Sequence, residues 1–190
     1  VCGVFVKSVV MNGLEHADAQ ETYSLLKEYA EYLDLDYSGT SLDLIISENT
    51  SKTVFIMEYL SGKLYEHYED LNQSFAEGIA LYEINQATYG VLCEVMKKHS
   101  EALTLNSNEY QQYLVMQDNS NDKIAVSKKI VDIKSKTPFT NRDMVLSAVK
   151  TAMSSLKADS GTAGIGQGGG GASGGGSGGN KSFSFNVIAD

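Results

Sequence analysis

The sequence predicts an α+β domain of two layers, an antiparallel sheet of about five to six strands with helices packed on it. Segments rich in β-branched and aromatic residues, among them SLDLIISE, TVFIMEYL and GKLYEHYE, recur between short turn-forming stretches. Other segments repeat apolar residues at the 3.6-residue period of a helix. The two kinds follow in the order helix, three strands, helix, two strands, helix, which suits helices covering one face of a sheet.

Residues 1–11, VCGVFVKSVVM, read as a strand or the buried end of one. A helix is expected over 18–33, where Asp18 and Glu21 have capping-box spacing and Thr22, Leu26, Tyr29 and Leu33 share a face. The three strand-like segments follow, separated by NTSK and SG, and such short turns favour an antiparallel meander. Phe75, Ile79, Tyr82, Tyr89, Leu92 and Met96 predict a second helix over 72–100, weakened at Gly78 and Gly90. EYQQYLVMQD and KIAVSKKIVDI read as two more strands joined at NSND. After Pro138, Thr140 and Asp143 resemble a capping box. Val145, Val149, Ala152, Met153 and Leu156 then form the stripe of a last helix.

Glycine divides the chain. Twelve of its 18 glycines lie between Gly161 and Gly179. One globular domain is therefore expected over 1–160 and a flexible Gly/Ser linker over 161–180. A tethered strand that docks on the domain is expected over 181–190. The Gly/Ala/Ser-only stretch within the linker has an engineered character.

A net charge of -9 disfavours both nucleic-acid backbones and anionic membrane surfaces as partners. The apolar runs are too short to span a membrane. Cys2 and Cys93 do not make a disulfide framework. Two buried reduced thiols in a cytosolic protein is the default, with one bridge left open.

Chemistry finds little support. Gly164–Gly169 matches G-x-G-x-x-G and Gly171–Gly175 matches G-x-S-x-G, but neither sits between a strand and a helix. His16, His67 and His99 lack partners at metal-ligand spacing and read as surface or helix-end residues. Carboxylate pairs such as Asp34 with Asp36, or Glu69 with Asp70, are commonplace in so acidic a chain. No catalytic, cofactor-binding or metal-binding residue is expected, and no cofactor. Eleven tyrosines and no tryptophan are consistent with a binding surface.

In KSFSFNVIAD, Phe183, Phe185 and Val187 fall on one face and Ser182, Ser184 and Asn186 on the other. That alternation suits strand addition to a sheet edge. Three origins stay open: a fused partner peptide, the protein's own first strand moved to the rear, or a neighbour's donor strand supplied in cis. Joining Asp190 to Val1 gives KSFSFNVIADVCGVFVKSVV, which reads smoothly as one apolar opening.

ETYSLLKEYAEYLDLDYSGTSLDLIISE, TVFIMEYLSGKLYE, a long central helix, YLVMQDNSNDKIAVSKKI and a closing amphipathic helix resemble the class I type III secretion chaperones, including the Tir-chaperone-like group. The resemblance spans about residues 19–158 and rests on the arrangement of apolar positions. It implies a small acidic protein of the bacterial cytoplasm, usually a homodimer, that holds a secretion effector in an extended state without catalysis. On this reading Phe183, Phe185, Val187 and Ile188 are the inserted anchors, and the strand containing Val54 and Ile56 is the receiving edge. VCGVFVKSVVMNG is longer than that family normally needs, and the tethered strand has no assigned place in it.

The competing class is a structural assembly subunit whose own N-terminal strand, relocated by circular permutation or donor-strand complementation, docks into a neighbouring copy to form a strand-swapped oligomer. A third is a sensory or immunity domain that binds a partner through a preformed face.

Overall fold

The expected sheet is replaced by helices. The computed structural model describes residues 2–162, with side chains for 3–158, and contains nine α-helices and one two-stranded hairpin among the described residues. The opening segment is helix α1 (Cys2–His16), SLDLIISE gives α3 (Leu42–Glu48) and TVFIMEYL lies in α4 (Ser51–Leu60). EYQQYLVMQD gives α7 (Asn108–Val115) and KIAVSKKIVDI lies in α8 (Asn121–Lys136). GKLYEHYE is a connection running into α5 (Tyr68–Gln86).

The buried positions explain why these segments coil. Val6, Val10 and Leu14 in α1 recur at i, i+4 and i+8, and Thr53, Ile56, Met57 and Leu60 in α4 at i, i+3, i+4 and i+7. Lys123, Val126, Ser127, Ile130 and Lys134 repeat the pattern in α8. β-branched residues are tolerated because tertiary burial of one helical stripe outweighs the few tenths of a kcal/mol per residue of propensity.

Helices start at NTSK and NSND, the stretches expected as turns, and likewise at Ser41 and Ser107. Ser41 Oγ accepts Leu44 N–H at 3.3 Å, Ser107 Oγ accepts Tyr110 N–H at 3.1 Å and Ser120 Oγ accepts Lys123 N–H at 3.2 Å. Before α4 the Thr50 N–H donates to Thr53 Oγ1 at 3.0 Å. Each bond satisfies a backbone donor that a helix start leaves unpaired.

Helix α2 (Ala19–Glu28) begins with a full capping box. Asp18 Oδ1 accepts from Gln20 and Glu21 N–H at 2.8 and 2.9 Å, and Glu21 Oε2 accepts from Asp18 N–H at 3.0 Å. A 3₁₀ turn over Ala30–Tyr32 follows. Then comes a hairpin of β1 (Asp36–Tyr37) and β2 (Thr40–Ser41), in register Asp36 to Ser41 and Tyr37 to Thr40. Its two central residues, Ser38 and Gly39, both have positive φ (54° and 81°), the requirement of a type I′ turn.

The expected 72–100 helix is divided into α5 and α6 (Leu92–Lys98), the break falling at residues 87–91 and not at Gly78. Gly78 stays inside α5 because a Cβ there would lie 3.2 Å from the Tyr59 ring, so α4 and α5 meet where one side chain is missing. Helix α9 (Arg142–Thr162) begins after Asn141, whose Oδ1 accepts Met144 N–H at 3.0 Å.

Two apolar cores share α5. Leu71, Phe75 and Ile79 pack with α1, α2, α3 and α4 in the first, while Ala76, Ala80, Leu81 and Ile84 pack with residues of α6 to α9 in the second. Burial around most of its circumference makes α5 weakly amphipathic. Tyr37 and Tyr59 pack against both cores from their margin.

Candidate functional site

Two polar assemblies fix the middle of the molecule. In the first, His99 closes α6 and is fully buried. Its Nε2 lies 2.7 Å from Glu83 Oε2 and its Nδ1 lies 3.0 Å from the Tyr37 hydroxyl. A carboxylate only accepts, so Nε2 carries a proton, and in the neutral imidazole Nδ1 then accepts from Tyr37. Lys98 and Lys52 also reach Glu83, at 2.9 and 3.4 Å. The chain of hydroxyl, imidazole and carboxylate has the connectivity of a catalytic triad. None of the clefts described below is lined by Tyr37, and its function in the fold is to tie the hairpin to α5 and α6.

Burial pushes the His99 pKa down, partly offset by Glu83. Burial acts to raise the Glu83 pKa, but hydrogen bonds from Lys98 and His99 outweigh it and hold the group at about 2. Both signs make acid destabilising. Between pH 6.5 and the lower folded-state pKa of His99, the unfolded chain binds the extra proton. The Glu83 contribution is present above its unfolded pKa of about 4.3 and is lost as pH falls toward about 2. The urea midpoint is therefore expected to fall between pH 7 and 5.5, and His99→Gln should flatten that decline. Equal declines in the two proteins would remove His99 from the account.

The second assembly lies at the C-terminal end of α5, next along the chain from Glu83. Lys134 Nζ, on α8, donates to the carbonyls of Ile84, Asn85 and Ala87 at 2.9, 2.6 and 2.5 Å. These carbonyls lie at the end of α5 and its cap, where Ile84 C=O also accepts the Ala87 N–H at 3.3 Å. Asn85 binds the connection to α9 on both backbone groups of Phe139, accepting its N–H and donating to its C=O, each at 2.9 Å. Phe139 itself is buried. The connection over 137–141 is thereby pinned beside α4.

Between α4 and that connection runs a trough of two adjoining hollows. One, of about 380 Å³, is lined by Phe55, Glu58, Tyr59, Lys63, Thr140 and Asn141. The other, of about 430 Å³, is lined by Val54, Phe55, Glu58, Tyr82, Asn85, Lys134 and Pro138, among others. Phe55 and Glu58 belong to both and divide them. The aromatic walls are held in place: the Phe55 and Tyr82 rings lie 5.8 Å apart, the Tyr59 hydroxyl donates to Glu77 at 2.7 Å, and Lys63 Nζ stands 3.3 Å over the Tyr59 ring. Glu58 has no ion-pair partner among the described residues. A third hollow of about 320 Å³ opens on the other side of α4, lined by Tyr23, Thr53, Val54 and Met57 among others.

The expected receiving strand is a helix, α4. Val54 and Ile56 lie on a helix, two residues and about 200° apart, so they face opposite ways. Val54 is 55% exposed and borders the trough, whereas Ile56 is fully buried in the first core and offers no surface to a partner. The hairpin strands are only two residues long and provide no edge for a docking segment. Phe183, Phe185, Val187 and Ile188, the two glycine motifs and the linker lie outside the described residues.

His16 and His67 are exposed, and the His67 N–H donates to Asp70 Oδ2 at 2.9 Å at the start of α5. Sequence reasoning placed His99 on the surface or at a helix end. It is at a helix end but buried, and its partner Tyr37 is 62 residues away, beyond any local signal. Cys93 is a partly buried free thiol. Among the described residues no group of three or more His, Cys, Asp or Glu is placed to hold a metal ion, and no helix is long and apolar enough to cross a membrane. Comparison with known proteins finds no family model, no curated protein and no solved structure that matches the chain.

Proposed function

We propose that the chain is a non-catalytic, chaperone-like protein-binding module that holds an apolar segment of a partner protein in the α4 trough. The observation that carries this reading is the divided trough itself, two hollows with aromatic and aliphatic walls on a rigid helical frame. The walls suit alternating apolar side chains, and Glu58 and Lys63 suit the polar flanks of a peptide. The route differs from strand addition, which needs a sheet edge. The acidic surface keeps a complex with an apolar segment in solution.

A second reading, a structural assembly subunit, is favoured by α1, where Val4 and Phe5 are 74% and 69% exposed beside a buried stripe. That face is apolar enough to meet another copy.

Selection of a displayed peptide library on the full chain tests both. Peptides with apolar residues at alternate positions are expected, and Val54→Asp should weaken them at least tenfold while Phe5→Ser leaves them unchanged. Peptides sensitive to Phe5→Ser and indifferent to Val54→Asp would move the binding face to α1 and sink the trough reading.

A further inference from the structure

Resting on the trough reading, we propose that the trough selects a basic partner segment. The occupant is an extended stretch with two apolar side chains, one in each hollow, and between them an arginine or lysine whose cation pairs with Glu58.

The balance of charge around the trough supports this occupant. Three charged side chains border the two hollows: Glu58, Lys63 and Lys134. Lys134 is committed to the carbonyls of Ile84, Asn85 and Ala87. Lys63 stands 3.3 Å over the Tyr59 ring and lies in the field of the Glu77 carboxylate. Glu58 is exposed and has no ion-pair partner among the described residues. The uncommitted charge of the trough is therefore negative. An occupant that covered it with apolar or acidic surface would strip water from a carboxylate and return nothing. A cation turns the same carboxylate into an attraction, so Glu58 rejects wrong partners as well as holding the right one.

The place of Glu58 fixes where the cation stands in the segment. Helix α4 borders one hollow with Ser51, Val54, Phe55 and Glu58, and the other with Phe55, Glu58 and Tyr59. The hollows are thus offset along α4 by about one helical turn, roughly 5 Å. Alternate side chains on one face of an extended segment lie about 7 Å apart, close to that offset, and bracket a single intervening residue. Glu58 is common to both hollows, so the intervening residue is the one nearest to it. Its side chain leaves the other face of the segment, and arginine and lysine are long enough to turn back to an exposed carboxylate at the rim. The guanidinium fork also matches the two carboxylate oxygens.

The net charge of -9 acts in the same direction at longer range. It draws a basic segment toward the molecule and slows the approach of an acidic one.

The test is selection of a displayed peptide library on the full chain and on its Glu58→Gln variant, followed by affinity measurements with one synthetic peptide from the first selection. Glu58 is exposed, so the exchange leaves the fold intact. Peptides selected on the unaltered chain should carry arginine or lysine between two apolar residues. Those selected on the variant should keep the apolar pair and lose the basic preference. The synthetic peptide should bind the variant about fivefold more weakly at low salt, and the difference should close in about 1 M salt. Exchanging its basic residue for glutamate should abolish binding to the unaltered chain, and Glu58→Lys should restore it.

Val54→Asn, which removes apolar wall without adding charge, identifies trough binders by a loss of at least tenfold. Trough binders with no basic preference, or with equal affinity for Glu58→Gln, would overturn this inference and leave the proposed function standing. Peptides indifferent to Val54→Asn, or a selection that yields none, would overturn both. Self-association seen by light scattering and relieved by either Phe5→Ser or Glu58→Gln would seat a second copy's α1 in the trough, which also overturns the partner-segment assignment.

Discussion

Replacing Lys134 by methionine is expected to lower the unfolding free energy by about 3 kcal/mol and the melting temperature by about 9 °C. Methionine preserves most of the aliphatic stem but removes all three donors. The carbonyls of Ile84, Asn85 and Ala87 share that one ammonium; without it Asn85 and Ala87 lose this partner together, while Ile84 keeps the Ala87 N–H at 3.3 Å. A buried acceptor without a partner costs about 1–3 kcal/mol. Lys134 lines the trough, so water can reach part of the vacated site, and three full penalties are not expected. Burial holds the Lys134 pKa below its ordinary value, so part of the loss is recovered when a costly charge disappears. Urea melts at pH 7 measure the difference. A change below about 1 kcal/mol would mean that the three carbonyls find equivalent partners without the lysine.

Replacing Phe75 by alanine is expected to cost about 4 kcal/mol, from lost transfer energy and the cavity left behind. Phe75 is fully buried in the first core, on the helix that also forms part of the second. The melting temperature should fall by roughly 12 °C. Its effect on cooperativity is as informative as its size. Far-UV circular dichroism follows helix content, and near-UV signals follow the buried tyrosines, of which Tyr110 and Tyr113 lie in the second core. Because α5 cannot leave one core without disturbing the other, the two signals should give one coincident transition in the variant. Two separated transitions would show that the cores unfold independently.

The sequence is most readable where local chemistry acts alone. The Asp18 and Glu21 capping box marks the start of α2, and the stripe from Val145 to Met153 is buried in α9 as its period predicts. The expected sheet fails because runs such as TVFIMEYL satisfy a strand's composition and a helix's period at once, and short apolar runs do not separate the two. What decides between them stands just outside each run. Thr50 and Ser120 read as turn residues, but a single serine or threonine ahead of an apolar run serves a helix start equally well. The site was less readable than the fold. Val54 does border the trough, but the alternation that paired it with Ile56 points the latter into the core. Phe55, Tyr82 and Pro138 come together only through tertiary packing, at separations that carry no local pattern. The same holds for Lys134, whose side chain serves carbonyls 47 to 50 residues earlier.

The sharing of α5 between the cores also sets an order for events during synthesis. A ribosome delivers the chain from its N-terminus, so α1 to α4 emerge before the helix that closes over them. At about 5–20 residues per second, the stretch from Leu60 to Ile84 takes on the order of 1–5 s to appear. During that interval Val6, Val10, Leu14, Ile56 and Leu60 belong to a nascent chain that has made every apolar face of its first half but not the wall that covers them. The first half therefore matures only when the middle of the chain arrives, and the second half is assembled on a helix already committed to the first.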